Sequence, residues 1–296
     1  MIRPAYLKKG DRIGIVTTAR KVSDEDIAAG LSLLTEWGLE VVLGESLYKT
    51  DHQFGGTDQE RAADLQQMLD DPSIKAIIAA RGGYGTLRII DRLNFDGFRK
   101  SPKWLIGFSD ITVLHSHIHQ FQIETLHAKV LLNFTKNAAS SEALREALFG
   151  ELKKYEHTPH LLNRHGIAEA ELVGGNLSLL YALTGSVSDL DTRGKILFLE
   201  DLDEYLYHID RMMLNLKRSG KLSHLKGLVV GGMTDMKDNA IPFGKNAEEI
   251  IMDAVKEFKY PVCFNFPAGH VDLNLPLYLG RKIKLEVGEK VELIFE

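Results

Sequence analysis

The sequence predicts an α/β fold built on a parallel sheet, and three observations carry that prediction. Short apolar runs of strand length alternate with amphipathic runs of helix length through the first half of the chain. The apolar runs are nearly continuous rather than alternating, as in strands covered on both faces. The runs are separated by turns bearing glycine, serine or aspartate.

Arg12–Thr17 is the first expected strand. Ser23 then caps an amphipathic run through Trp37, with Asp26 as capping-box partner and Gly38 closing it. Leu39–Leu43 is the second strand, and a polar, glycine-bearing loop over Lys49–Gly56 leads to a helix over Asp58–Leu69. Ile74–Ala80 is the third strand and Tyr84–Leu93 a helix. Lys103–Phe108 is the fourth strand, Asp110–Phe121 a helix and Glu124–Val130 the fifth strand.

Between Ala138 and Gly166 the chain turns polar, and no strand pattern survives. The domain boundary is placed there, giving a first domain over 1–150 and a second over 166–296. In the second, Ala182–Gly185 ends a short helix, and Lys195–Leu199, Leu225–Gly231 and Pro261–Phe266 are strands. Tyr205–Lys217 and Ala247–Phe258 are helices. Lys282–Val287 and Lys290–Phe295 alternate like a β-hairpin that turns at Gly288.

With 296 residues the chain has room for about two cores. Its 36 basic and 41 acidic residues leave a net charge of −5 and no long basic run. Neither a nucleic-acid backbone nor an anionic membrane is therefore expected as main partner. Arg99, Lys100 and Lys103 cluster, which reads as a solvated face. The single cysteine, Cys263, excludes an internal disulfide and a thiolate zinc cluster. Apolar residues nowhere approach the ~20 that a membrane helix needs. The first ten residues hold no apolar signal core, so a cytoplasmic location is expected.

Chemistry concentrates at strand ends, where open parallel sheets place their ligands. Trp104-Leu105-Ile106-Gly107-Phe108-Ser109-Asp110 is a buried strand running straight into a serine at a strand-to-helix corner. Such a corner lifts the hydroxyl clear of the sheet and offers neighbouring N–H groups to an oxyanion. The same serine reads equally as an ordinary helix N-cap. The Gly-x-Ser-x-Gly elbow matches only in its first half, since Ile111 stands where its last glycine would be.

Two more strand ends supply possible partners. Lys195–Leu199 delivers Glu200, and Pro261–Phe266 delivers Pro267-Ala268-Gly269-His270. The order Ser109, Glu200, His270 is that of one class of hydrolases. A histidine near its ordinary pKa of ~6.5 can take the serine proton, and a carboxylate fixes its tautomer. Glu200 to Glu204 also reads as an acidic helix start, and His270 as a turn residue.

Arg81-Gly82-Gly83-Tyr84-Gly85 follows the third strand. It suits an oxyanion better than a dinucleotide, because Arg88 occupies the third glycine's place. His115, His117 and His119 raise zinc, but Ser116 stands where the metalloprotease glutamate would be. Cys263, inside an apolar strand, reads as core rather than nucleophile. No cofactor and no metal are called for.

Taken together the motifs resemble the LD-carboxypeptidases and related microcin C immunity hydrolases, a family of serine peptidases. The resemblance runs through Phe54-Gly55-Gly56-Thr57-Asp58, Arg81 to Gly85, Gly107 to Asp110, Gly174-Gly175-Asn176-Leu177, Leu199-Glu200-Asp201 and Pro267 to His270. It implies a flavodoxin-like α/β domain followed by a smaller, β-rich α/β domain, usually in a homodimer. It further implies Ser109 as nucleophile, His270 as base and Glu200 as its orienter. The oxyanion would be held by the N–H groups of Gly83 and Asp110, and substrate by Arg81, Gly82 and Asn176. The implied substrate is a small peptide, a muropeptide tetrapeptide losing its terminal D-alanine during cytoplasmic murein recycling. An amidase acting on peptidyl or aminoacyl nucleotides, or a non-catalytic ligand-binding module, remains open. Where the family commonly carries His-Gly-Pro this chain has His127-Ala128-Lys129, so Lys129 is expected to alter the shape or charge of the substrate site.

Overall fold

The apolar runs of the first half pair side by side in the order that doubly wound sheets use. The structure, a computed structural model, describes residues 1–296. It divides into two compact units, Met1–Leu152 with Asp272–Tyr278, and Lys153–Val271 with Leu279–Glu296.

In the first unit β1 (Arg12–Val16), α1 (Asp24–Glu36), β2 (Glu40–Leu43), α2 (Asp58–Asp70), β3 (Ile74–Ala79), α3 (Asp96–Lys100), β4 (Trp104–Gly107), α4 (Thr112–His119), β5 (Thr125–His127) and α5 (Ala138–Phe149) follow one another. Ile13, Ile15, Ala76–Ile78, Trp104 and Ile106 are almost wholly buried, which is why these strands read as continuous apolar runs. The sheet order is β2-β1-β3-β4-β5, with parallel pairing throughout those five, the order of flavodoxin-like folds.

The helices start where the chain offers caps. Ser23 and Asp26 form a capping box on α1, as do Thr57 and Glu60 on α2. Lys103 does not join Arg99 and Lys100 in a solvated face. It is 1% exposed, and its ammonium donates to the carbonyls of Met68, Leu69 and Asp71 at 3.0, 3.0 and 2.6 Å. A buried cation there closes the C-terminus of α2. Burial holds its pKa down at about 8.

The helix expected over Tyr84–Leu93 is instead two short 3₁₀ turns, Thr86–Arg88 and Ile90–Arg92. Gly83 and Gly85, at φ +117° and +154°, keep the chain out of the helical region until Thr86. The expected fifth strand is confined to β5.

The second unit contains β6 (Lys154–His157), β7 (Gly166–Asn176), α6 (Leu177–Leu183), β8 (Ile196–Leu202), α7 (Leu206–Arg218), β9 (Gly227–Thr234), α8 (Ala247–Val255) and β10 (Val262–Cys263). After β11 (Leu277–Leu279), whose first residues belong to the first unit, come β12 (Lys282–Val287) and β13 (Val291–Phe295). Tyr278 ties its segment to that unit by donating its hydroxyl to the Ala147 carbonyl at 2.6 Å.

The second sheet has the order β10-β9-β8-β7-β12-β13-β6. Its first four strands are parallel and the rest antiparallel. The polar stretch between Ala138 and Gly166, which shows no strand pattern in the sequence, holds α5 and β6. Asn137 caps α5, Gly150 closes it at φ +80°, and β6 is a half-exposed edge strand. No helix of the chain is long and apolar enough to cross a membrane.

Candidate active site

β4 ends at Gly107, Phe108 stays extended, and Ser109 turns into the left-handed region at φ +62°. A non-glycine residue held there costs about 1–3 kcal/mol and persists only where its surroundings impose it. The imposition comes from Gly107, where a Cβ would stand 2.7 Å from Ile111 Cγ1, so the following turn packs directly onto the strand end. The buried His115 adds a hydrogen bond from Nε2 to the Gly107 carbonyl at 2.9 Å.

Ser109 caps nothing. Phe108 holds the cap position and no side-chain cap bond forms, so the N-cap reading is set aside. Gly82 lies against the serine, since a Cβ added to it would meet Ser109 Cβ at 3.3 Å and Oγ at 3.5 Å. Asp110, 1% exposed, accepts the Thr86 N–H at 2.8 Å and so ties the serine corner to the glycine turn. Burial raises the Asp110 pKa against the pull of that bond.

Two arginines flank Gly83. Arg81 donates to the Lys21 carbonyl at 3.4 Å. Arg20, which sequence reading passed over, is exposed and lies over Gly83, where a Cβ would meet its Cγ and Cδ at 2.8 Å. Lys129 carries no exposed charge. It is 4% exposed and donates to the Asn137 carbonyl at 3.2 Å, and burial lowers its pKa.

In the second unit β8 runs on past Leu199 to Leu202, and its register against β9 shifts between Leu199 and Asp201. Glu200 occupies that irregularity, where a strand is re-aimed. It is fully buried, and its Oε2 accepts from His270 Nδ1 at 2.6 Å and from the His270 backbone N–H at 3.1 Å. Gly269 makes the approach possible, because at φ +100° a Cβ there would stand 2.6 Å from Oε2. The turn carrying His270 is held to β9 by Gly232 N–H on the Ala268 carbonyl at 3.0 Å and Thr234 Oγ1 on the His270 carbonyl at 2.7 Å.

Burial by itself depresses the His270 imidazole. The charge of Glu200, its hydrogen bond and the charge of Asp201 outweigh burial and raise the pKa above 6.5. Asp201, the next residue of the strand, has partners of its own. It accepts from Asn176 Nδ2, Ser178 N–H and Leu202 N–H, each at 2.9 Å. Burial, then the charge of Glu200, push its carboxyl up to about 7.

Asn176 is 4% exposed and caps α6 through Leu179 N–H at 3.2 Å while holding Asp201. Its visible work is to brace Asp201. Cys263 is buried, and burial pushes its thiol up to about 12. His115, His117 and His119 go to separate partners: Gly107, the ring of Phe95 at 4.9 Å, and Thr125.

The two sheets match the two halves of a known enzyme family. Residues 13–128 match the LD-carboxypeptidase N-terminal domain, and residues 169–285 match the LD-carboxypeptidase C-terminal domain. The chain belongs to the LD-carboxypeptidase family. With that membership it is a serine-type carboxypeptidase. It is 35% identical over 305 residues to a probable murein peptide carboxypeptidase of Bacillus subtilis (strain 168), covering 99% of this chain and 94% of that protein. The crystal structure of a muramoyltetrapeptide carboxypeptidase from Oxalobacter formigenes superposes with a TM-score of 0.88 at 27% identity, over 96% of this chain and 98% of that one. MccF in complex with glutamyl sulfamoyl guanosine shares the fold, with a TM-score of 0.88 at 22% identity over 99% of this chain and 98% of that one.

Proposed function

We propose that the enzyme removes the terminal D-alanine from muropeptide tetrapeptides through a Ser109–His270–Glu200 triad. The observation that carries the reading is the 2.6 Å bond between Glu200 and His270 Nδ1. With Glu200 ionised, Nδ1 carries the proton and Nε2 is the basic nitrogen.

Nε2 takes the Ser109 proton as Oγ attacks the carbonyl carbon of the residue before D-alanine. The N–H groups of Gly83 and Asp110 hold the resulting oxyanion. Collapse breaks the C–N bond, and the imidazolium returns its proton to the departing amine. Water, deprotonated by His270, then hydrolyses the acyl-enzyme.

A carboxypeptidase must also read a free carboxylate. Arg20, lying over Gly83, serves that role ahead of Arg81, which already donates to Lys21. Gly82 supplies a wall of bare backbone beside the hydroxyl. The reading also takes the enzyme to act in the cytoplasm in murein recycling, as a homodimer.

Incubation with a muropeptide tetrapeptide and mass spectrometry for the loss of one D-alanine tests it. Turnover of an aminoacyl-adenylate analogue in place of the tetrapeptide would assign the same residues to an immunity-type amidase. Equal handling of both by Ser109→Ala, Glu200→Ala, His270→Ala and the wild type would mark a binding module.

A further inference from the structure

Arg61 sits on α2 in the polar run Asp58-Gln59-Glu60-Arg61, where sequence alone suggests a surface residue, yet it is 0% exposed. A guanidinium taken out of water must place its five N–H donors on acceptors, and its planar fork fixes where those acceptors stand. Nε donates to the Gly56 carbonyl at 3.3 Å, and Nη1 to the carbonyls of Thr18 and, at 3.2 Å, Gly85. Nη2 pairs with Asp58, which Arg88 holds from outside with two bonds at 2.9 and 2.8 Å. The Phe54 ring lies 4.8 Å from the Arg61 guanidinium.

The three carbonyls belong to three loops far apart in sequence: the one after β1, the one before α2 and the one after β3. The last is the glycine turn. From Gly85 the linkage continues through Thr86, whose N–H binds Asp110 and whose hydroxyl binds Thr18 Oγ1, both at 2.8 Å. Asp110 adjoins Ser109. The glycine turn is thus pinned at Gly85 by Arg61 and at Thr86 by the serine corner.

We propose that Arg61 is a positioning residue for catalysis, a clamp that sets the Gly82–Gly83 turn against Ser109 without touching substrate. This rests on the reading of Ser109 as nucleophile. Lysine at this position keeps the charge but gathers its donors on one nitrogen, so it cannot reproduce the planar fork that reaches Gly56 through Nε, Thr18 and Gly85 through Nη1, and Asp58 through Nη2. The turn then loses its register on Ser109, and a displacement near 1 Å costs on the order of 10²-fold in rate.

The test uses the full chain and a small fluorophosphonate, which labels an activated serine whatever the natural substrate. Labelling at Ser109 is followed by mass spectrometry, beside kcat and KM for D-alanine release and thermal unfolding. Arg61→Lys is expected to label Ser109 roughly 10²-fold more slowly and to lose the same factor in kcat, with KM and the pH midpoint unchanged. Asp58→Asn, which loosens only one arm of the clamp, is expected to lose about tenfold in kcat alone.

Wild-type labelling rates in Arg61→Lys, per folded molecule, would overturn the clamp. So would an Arg61→Lys that fails to fold combined with an Asp58→Asn of full activity, which would leave Arg61 purely structural. A wild-type enzyme that reacts elsewhere than at Ser109 would instead overturn the nucleophile reading.

Discussion

Glu200 Oε2 accepts two hydrogen bonds from one residue, His270 Nδ1 at 2.6 Å and the His270 backbone N–H at 3.1 Å. The pair fixes the ring by its edge and its own main chain together, which is stronger orientation than a side-chain bond alone gives. The second contact exists because Gly269 lets the backbone reach a buried carboxylate.

That relationship sets the pH dependence. With His270 as the proposed base, which acts neutral, kcat/KM is expected to rise with pH through the His270 pKa, which lies above 6.5. Glu200→Gln removes the opposing charge while burial remains, so the rising limb moves to lower pH as the rate falls. A profile measured from about pH 5 to 8 that is flat in the wild type, or unshifted in Glu200→Gln, would contradict the pairing.

Gly269→Ala tests the close approach. Its methyl would be forced to 2.6 Å from Oε2 at a backbone angle of φ +100°, displacing the carboxylate or the turn. Turnover is expected to drop on the order of 10²-fold or more, with the far-ultraviolet circular dichroism preserved. Full activity in this variant would mean that the Glu200–His270 bond is dispensable.

Arg20→Met tests carboxylate recognition. Losing a charge-assisted bond to the substrate carboxylate should raise KM roughly 10- to 100-fold for the free acid. The corresponding C-terminal amide should be affected little. An unchanged ratio between acid and amide would remove Arg20 from the site and return the role to Arg81.

His115 bears on stability. Its burial holds the pKa down at about 4, and its Nδ1 is buried with no acceptor for a second proton. The folded state keeps the ring neutral while the unfolded chain takes up a proton below the ordinary value of 6.5. The contribution of His115 is therefore complete above pH 6.5 and is lost as pH falls toward 4. His115→Phe removes one of the two hydrogen bonds on the Gly107 carbonyl and leaves the one from Ala128 N–H at 3.0 Å, so it should lower stability by about 0.5–1.5 kcal/mol at neutral pH and flatten the acid limb of a melting-temperature profile.

Much of this was legible in the sequence, for a physical reason. β1, β3 and β4 are buried on both faces over most of their length, so each is a nearly continuous apolar word, broken only by Arg12 at the start of β1 and Lys75 in β3, and Ser109, Glu200 and His270 each stand at or near a strand end. β7 escaped because it changes neighbours midway: Gly166 to Glu171 alternates against β12, whereas Leu172 to Asn176 is buried beside β8. Two periods in one strand cancel in any single pattern. Lys103 and Arg61 escaped because most of their partners are main-chain carbonyls, which every residue has and no sequence pattern marks; the Asp58 carboxylate three residues before Arg61 reads equally as an ordinary surface pair. Asn176 carried a motif signal, but a motif does not say whether an amide faces a ligand or, as here, a neighbouring carboxylate.

The most direct test compares wild type with Ser109→Ala on a muropeptide tetrapeptide, counting D-alanine released. The account predicts release by wild type and a loss on the order of 10⁴- to 10⁶-fold in the variant. Equal release by both would contradict it.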